Sequence, residues 1–540
     1  MKKKGDFIER KKAAMLAKAE VWQDRVAELL VVLLICVQPL YFNTARYIRL
    51  TWHKFVFFTI CMCVVLLGVL IIWVFRLTRK PLLLPQGKPV IADWAVLGFA
   101  AVTLVSAIFS PFRSEASVWV GVPERYDGAF TQLMYVAAFF IVSRWYKPRT
   151  RDFAIFGISA ILIALIGIFQ FYGMDFFKLW PNDRPEWRVD NFYSIFFRST
   201  LGNVDIVSTY VCVAVLLCGF LFVRGAESKW RPLWLAGSAL NFWLMDLAGA
   251  DSGRVGALAA AVLAMPFIIE NRKTIGRFLI LGSSWLAVYT LQNLFYDRLI
   301  QKAGNEKSLI LFTAVFIVLL AAGAVLIRRR ERDPGTEHDV AGEQEGESIG
   351  AAPAPVKWKL GVVLIAAIAV IGVAGIEALG RRDAETENPG RLYEFREMLH
   401  GNVKDEFATN RIYIWRHALA VFPKNPIIGS GPDTFENAFP PEAQYAYGEN
   451  YDKAHNEYIQ ILICQGILGL ACYLVFLGGV LYKPMPAAFK DPILMAVLAA
   501  FAGYCVQAFF NISLPIASQV LWVFAGILSK AAGHSPDTVR

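Results

Sequence analysis

Residues 55–75 read FVFFTICMCVVLLGVLIIWVF, twenty-one residues without a charge, closed off by Lys54 on one side and Arg76 on the other. As an α-helix such a run is about 31 Å long, enough to cross a hydrocarbon layer of about 30 Å. Working outward, similar runs lie near 27–44, 90–110, 128–144, 152–172, 203–223, 231–248, 255–269, 277–294, 308–327, 359–379, 457–481, 491–511 and 514–531. Only helices and closed barrels satisfy the backbone inside lipid, and these runs have helical length. The fold class that follows is all-α: a polytopic membrane protein of about 12–14 transmembrane helices. The whole chain of 540 residues is 56% hydrophobic, above the roughly 45–50% of soluble domains.

The charge pattern supports an orientation. The net charge is +10, but the basic residues sit in short loops, so they read as topology signals and not as a nucleic-acid surface. Alternate loops carry Arg76/Arg79/Lys80, Arg144/Lys147/Arg149/Arg151, Arg224/Lys229/Arg231, Arg272/Lys273/Arg277 and Arg328/Arg329/Arg330. Placing these in the cytoplasm also places the basic N-terminus there, with Arg46, Arg49 and Lys54 as exceptions. The eight cysteines all lie within apolar runs, which argues for packing and against a disulfide framework or a zinc site.

The outward set then holds three longer loops, 111–127, 173–202 and 380–456. The last is the one sizeable polar stretch with aromatic residues (Trp415, Phe422, Phe435, Phe439), a helix-like segment at 405–422 and Gly/Pro turns. It reads as one large external loop subdomain. Residues 331–356 are Gly-, Glu-, Ala- and Pro-rich and read as a disordered linker. The expected organisation is a basic cytoplasmic N-terminus (1–26), N-terminal transmembrane helices (27–330), the cytoplasmic linker (331–356), a further span (357–379), the external subdomain (380–456), C-terminal spans (457–532) and a cytoplasmic tail (533–540).

No phosphate-cradling loop, nucleophile elbow or H-E-x-x-H motif is present. The chemistry gathers in the outward loops instead. Arg254, in Asp251-Ser252-Gly253-Arg254 between two apolar runs, reads either as an anion-binding guanidinium or as an ion pair with Asp251. Arg411 and Trp415 share a helix face by spacing, whereas Arg416 lies on another. His455 precedes the apolar run from Ile459, at the membrane surface. There it reads either as a proton acceptor beside a lipid-borne substrate or as a structural histidine. The Trp- and Arg-rich stretch with Trp180, Arg184, Trp187, Arg188 and Arg198 reads as a sugar or diphosphate grip, or equally as an interfacial cap.

Taken in order, these segments resemble the O-antigen ligase/polymerase family of membrane glycosyltransferases. The shared pattern is Arg411 with Trp415, then Pro426 through Gly429-Ser430-Gly431 to Phe435, then His455-Asn456 followed by Gly466 and Gly469. Weaker matches are Gly121 to Gly128 around Arg125, Leu201-Gly202-Asn203-Val204-Asp205 with Asp205 where the family has a second Asn, and Ser252-Gly253-Arg254. The resemblance implies a GT-C-like fold and transfer of a glycan from undecaprenyl diphosphate to an acceptor hydroxyl on the outer face of a cytoplasmic membrane. It implies His455, Arg411 and Arg254 as catalytic residues, the two arginines holding the diphosphate. Asn456, Arg416, Arg125, Asn203 and Trp415 are expected to bind substrate, with no metal and no cofactor. The implied partners are the lipid-linked glycan, a glycan, lipid or protein acceptor, membrane lipids and envelope-assembly proteins. Two other readings stay open. A transporter or flippase calls for charges deep within spans, whereas those seen lie near span ends; a structural assembly partner has no need of clustered Arg, His and Asn.

Overall fold

Helix formation here is dictated by the apolar runs, and the helices sort by how completely neighbours cover them. The computed structural model describes residues 2–78, 89–180, 196–225, 228–249, 251–265, 271–300, 306–328, 358–385, 390–448 and 450–533. The first half contains α1 (Lys2–Val32), α2 (Leu50–Thr78), α3 (Ile91–Phe109), α4 (Ala129–Trp145), α5 (Thr150–Phe171) and α6 (Val204–Arg224). Next come α7 (Arg231–Ala248), α8 (Asp251–Leu263), α9 (Arg272–Ile300), α10 (Glu306–Arg328) and α11 (Trp358–Ala384). The remainder contains α12 (Arg391–Leu399), α13 (Arg411–Val421), α14 (Glu457–Tyr482), α15 (Pro492–Gln507) and α16 (Gln519–Gly533). Among the described residues the only sheet is a two-stranded hairpin, Phe197–Arg198 against Gly202–Asn203. The protein is an all-α, multi-pass membrane protein.

Helix α6 is apolar on every side, and every residue from Ile206 to Val223 is buried. A helix of that composition belongs at the centre of a bundle, and α5, α7, α8, α9 and α15 pack around it. Small residues let α8 approach closely: a Cβ on Gly256 would stand 2.6 Å from the Gly503 carbonyl oxygen of α15. Such small-residue contacts drive helix association where lipid offers no hydrophobic contrast.

Among the described residues, seven helical segments are long and apolar enough to cross a membrane: Arg46–Phe75, Ile91–Phe109, Thr150–Phe171, Val204–Arg224, Arg272–Gln292, Glu457–Ala488 and Pro492–Phe510. Ala129–Trp145 and Gln519–Gly533 are shorter apolar helices, and Thr313–Arg328 is an apolar stretch within α10. The expected spans 308–327 and 359–379 fall on α10 and α11, helices of 23 and 27 residues. The expected span 255–269 begins within α8, which ends at Leu263, and runs on beyond the described residues. The expected span 514–531 becomes a loop and a helix that begins only at Gln519. The expected linker 331–356 lies outside the described residues, as do Arg184, Trp187 and Arg188.

The bundle has two chemically distinct ends. At one, Arg144 pairs with Asp93 at 2.7 Å and Arg149 with Glu28 at 3.3 Å, while Arg277 donates to Val223 O at 3.0 Å. Asp24 also pairs with Arg149, and Glu28 with Arg151. The other end carries the N-termini of α6, α8 and α14 together with residues 390–456. These last residues have a small core of their own, Ile414, Ala418, Val421, Phe435, Phe439, Ala443, Tyr451 and Ala454, seated on Ile463 and Cys464 of α14. Lys54, an exception to the charge pattern, is buried and donates to Gln38 O at 2.8 Å and Pro39 O at 2.9 Å. It thereby supplies donors to carbonyls at the end of a helix.

Candidate active site

The site is assembled by helix N-termini. Helix α14 is entered through Asn456, whose side chain accepts from Tyr458 N at 3.0 Å and Ile459 N at 3.1 Å. Asn203 caps α6 in the same way, accepting from Asp205 N at 2.8 Å. Such caps satisfy orphan amides and leave the positive end of each helix facing the site. Helix α8 joins α6 through Gly253 N donating to Ser208 Oγ at 2.8 Å. Asn511 ties both to the end of α15, donating to Asp205 O at 2.8 Å and Ser252 Oγ at 3.1 Å.

Helix α13 starts at Arg411, later than the helix-like stretch 405–422 suggests. Ala408, Thr409 and Asn410 have φ of 54°, 59° and 62°, three consecutive left-handed residues, each at a cost of roughly 1–2 kcal/mol. Strain of this kind collects where a side chain has to be aimed, and here it aims Arg411. Its Nη2 lies 3.9 Å from Asp205 Oδ1. His455 Nδ1 lies 3.8 Å from Asp205 Oδ2. Trp415, on the same face of α13, donates from Nε1 to Ala454 O at 2.9 Å, next to His455.

Arg254 stands beside this group on α8, 3.0 Å from Asp246 Oδ1 and 3.0 Å from Asp251 Oδ1. Arg391, at the start of α12, takes the other oxygen of Asp251 at 2.6 Å. Asp251 and Arg391 both act electrostatically on Arg411. The end of the bundle thus presents Arg254, Arg391 and Arg411 interleaved with Asp205, Asp246 and Asp251. Burial works against the charge of Arg411, and Asp205 supports it. Burial likewise lowers the pKa of His455 below the ordinary histidine value, against the pull of Asp205. The imidazole is therefore neutral at pH 7 and able to accept a proton.

Arg125 lies at the edge, its Nε 2.7 Å from Asp452 Oδ2. Arg416 is not part of the group: its side chain is 59% exposed and pairs with Asp405 at 2.8 Å. Trp180 is buried, and Arg198 donates to Phe197 O at 3.0 Å. Among the described residues no cluster of three or more His, Cys, Asp or Glu side chains is arranged to hold a metal ion.

Sequence reasoning passed over the devices that hold these residues in place. Lys453 is buried and pairs with Asp433 at 2.5 Å and Asp127 at 3.5 Å. Burial works against its charge, but the two carboxylates outweigh it and raise its pKa above the ordinary lysine value. Asp433 also accepts from Val122 N at 2.7 Å. This knot joins the Gly121–Gly128 segment, the Gly429–Phe435 segment and the loop that carries His455.

The glycine pattern has an equally physical cause. Helix α14 is interrupted at Gly466, with φ 68° and ψ −170°, which frees backbone groups inside the apolar layer. Residues 426–431 form a strap that takes them up. Ser430 N donates to Ile463 O at 3.0 Å and Gly431 N to Cys464 O at 2.9 Å, while Ile467 N donates to Pro426 O at 2.9 Å and Leu468 N to Ile427 O at 3.2 Å. Irregular backbone at membrane depth is tolerated only when satisfied in this way.

No curated protein matches the chain. A family model described as O-antigen ligase matches residues 236–474, the segment that contains Arg254, Arg391, the strained approach to Arg411, the glycine strap and His455. That match supports a role in glycosyl transfer during surface polysaccharide assembly. Over residues 236–474 this multi-pass membrane protein is similar to the O-antigen ligase family.

Proposed function

We propose that this protein transfers a glycan from an undecaprenyl-diphosphate-linked donor to an acceptor hydroxyl on the outer face of the cytoplasmic membrane, as a ligase or a polysaccharide polymerase. The observation that carries the reading is the meeting of Arg411, Arg254 and His455 around Asp205 and Asp251 at one end of the bundle. Guanidinium groups and helix N-termini suit a diphosphate. The basic loop residues lie at the opposite end, which supports an outward-facing site by the positive-inside rule.

In the reaction the acceptor oxygen attacks the anomeric carbon and the bond from that carbon to the diphosphate oxygen breaks. Undecaprenyl diphosphate leaves with the electron pair, and Arg411 and Arg254 stabilise its charge. The proton of the acceptor hydroxyl passes to neutral His455. Asn456 fixes the loop that carries His455, and Trp415 holds the preceding carbonyl.

The test is transfer by purified protein in liposomes from a synthetic undecaprenyl-diphosphate-linked oligosaccharide, with the product read by mass spectrometry. His455→Ala lowers the rate by about 100-fold or more, and Arg411→Ala by a similar factor, while Arg416→Ala stays near wild type. Equal transfer by all four proteins overturns the assignment. The mass of the product separates ligation from polymerisation.

A further inference from the structure

Asp205 occupies an unusual position between two of these residues. Each of its carboxylate oxygens faces a different partner, Oδ1 toward Arg411 Nη2 at 3.9 Å and Oδ2 toward His455 Nδ1 at 3.8 Å. Both distances exceed hydrogen-bond length, so the carboxylate is divided between a guanidinium and an imidazole and closed on neither. His455 Nδ1 and Arg411 Nε are buried and without a hydrogen-bond partner. An orphan buried polar atom is costly, and two of them around one carboxylate mark a place where contacts are exchanged.

The surrounding backbone is fixed. Asp205 N and O are held by Asn203 Oδ1 at 2.8 Å and Asn511 Nδ2 at 2.8 Å. On the histidine side, Ala454 N donates to Gln460 Oε1 at 2.9 Å and Asn456 caps α14, while His455 itself has φ 48°. The movable parts are therefore one carboxylate and one imidazole. Four charged groups act on that ring: Asp205 and Asp452 favour its protonation, Arg411 and Arg125 oppose it. Asp452 is already engaged by Arg125 at 2.7 Å, which leaves Asp205 as the carboxylate free to change partner.

We infer that Asp205 is a positioning residue that couples donor binding to the base: when diphosphate oxygens engage Arg411, the carboxylate closes on His455 Nδ1. This rests on the proposed function and adds to it a link between the two halves of the site. Accepting a hydrogen bond from Nδ1–H fixes the tautomer whose Nε2 lone pair faces the acceptor hydroxyl. It also stabilises the imidazolium formed when that hydroxyl gives up its proton. Binding the donor thereby switches on the base.

The experiment has two arms on the full chain in nanodiscs. The first follows the His455 imidazole by NMR with labelled histidine, assigned by its loss in His455→Ala, before and after adding undecaprenyl diphosphate. In wild type the ligand raises the titration midpoint by about one unit. In Asp205→Asn the rise is at most half as large, because only the ligand's own charge remains. An equal rise in both proteins overturns the inference. The second arm measures transfer against pH. Asp205→Asn lowers kcat by about tenfold or more with donor KM unchanged or lower, and its acid limb moves to lower pH because the base is weaker. Asp205→Glu restores part of kcat. Loss of kcat with the acid limb unmoved, or a raised KM alone, identifies a merely structural residue and contradicts the inference. The NMR arm needs no turnover, so its failure is distinct from failure of the transferase reading, which Arg411→Ala and His455→Ala decide.

Discussion

Asp433 accepts a backbone amide from the Gly121–Gly128 segment and an ion pair from Lys453, two residues before His455. Removing one partner of a buried pair leaves the other charge uncompensated, at a cost of about 3–5 kcal/mol. Lys453→Met is accordingly predicted to lower the thermal transition of the purified protein markedly and to reduce transfer with it. The double variant Lys453→Met/Asp433→Asn, which removes the nearest uncompensated charge and keeps an acceptor for Val122 N, recovers part of the stability without recovering full activity. A thermal melt of the single variant that overlays wild type contradicts the pairing. At this scale the sequence was partly legible. His455, Arg411 and Arg254 stood out because their chemistry is scarce in an apolar chain, and the shared face of Arg411 and Trp415 follows from helical spacing. Lys453, Asp433 and Asp127 did not stand out, because an ion pair between residues as far apart in the chain as Asp127 and Lys453 has no local signature. Arg416 shows the converse: its type suited a phosphate, but its place on the helix turned it to solvent.

Helix α14 was legible as an apolar run from Ile459 onward, but its interruption was not. Gly466 and Gly469 look like any small residues in a span, and the break is recognisable only once the strap 426–431 lies beside it. The contact is backbone against backbone. A Cβ on Gly429 would fall 2.3 Å from Cys464 C, and one on Gly466 2.3 Å from Ile427 C, and both glycines have left-handed φ. Neither clash is relieved by moving a flexible side chain. Gly429→Ala and Gly466→Ala are predicted to destabilise the protein and depress transfer even though neither residue touches substrate. Gly478→Ala, where a Cβ has nothing within 4 Å, serves as the control on the same helix. Melting curves of the three variants check this, and equal curves would remove the strap's structural role.

At the scale of the molecule, the membrane character and the helical class were plain from the apolar runs, because burial of about 20 apolar residues per span leaves no other solution. The number of crossings was less plain. Hydropathy runs unbroken through residues 514–531, whereas α16 begins only at Gln519, and it carries the span begun in α8 past Leu263, where that helix ends. The two ends of the bundle make a sided prediction. A cysteine placed by Tyr447→Cys, in the segment packed over α13, reacts with a membrane-impermeant thiol reagent in intact cells. One placed by Lys490→Cys, next to the Phe489 carbonyl that Arg224 contacts, reacts only after permeabilisation. The reverse pattern would turn the site toward the cytoplasm.

The chemistry itself is decided by reconstituting wild-type protein with an undecaprenyl-diphosphate-linked oligosaccharide and an acceptor glycan, in EDTA and without nucleotide. The released lipid diphosphate and the new glycosidic bond are then quantified together. One undecaprenyl diphosphate released for each bond formed, with the rate falling as pH drops through the titration of His455, is the predicted result. Lipid release without a new bond, or movement of the intact lipid-linked glycan across the bilayer with no release, would contradict the account.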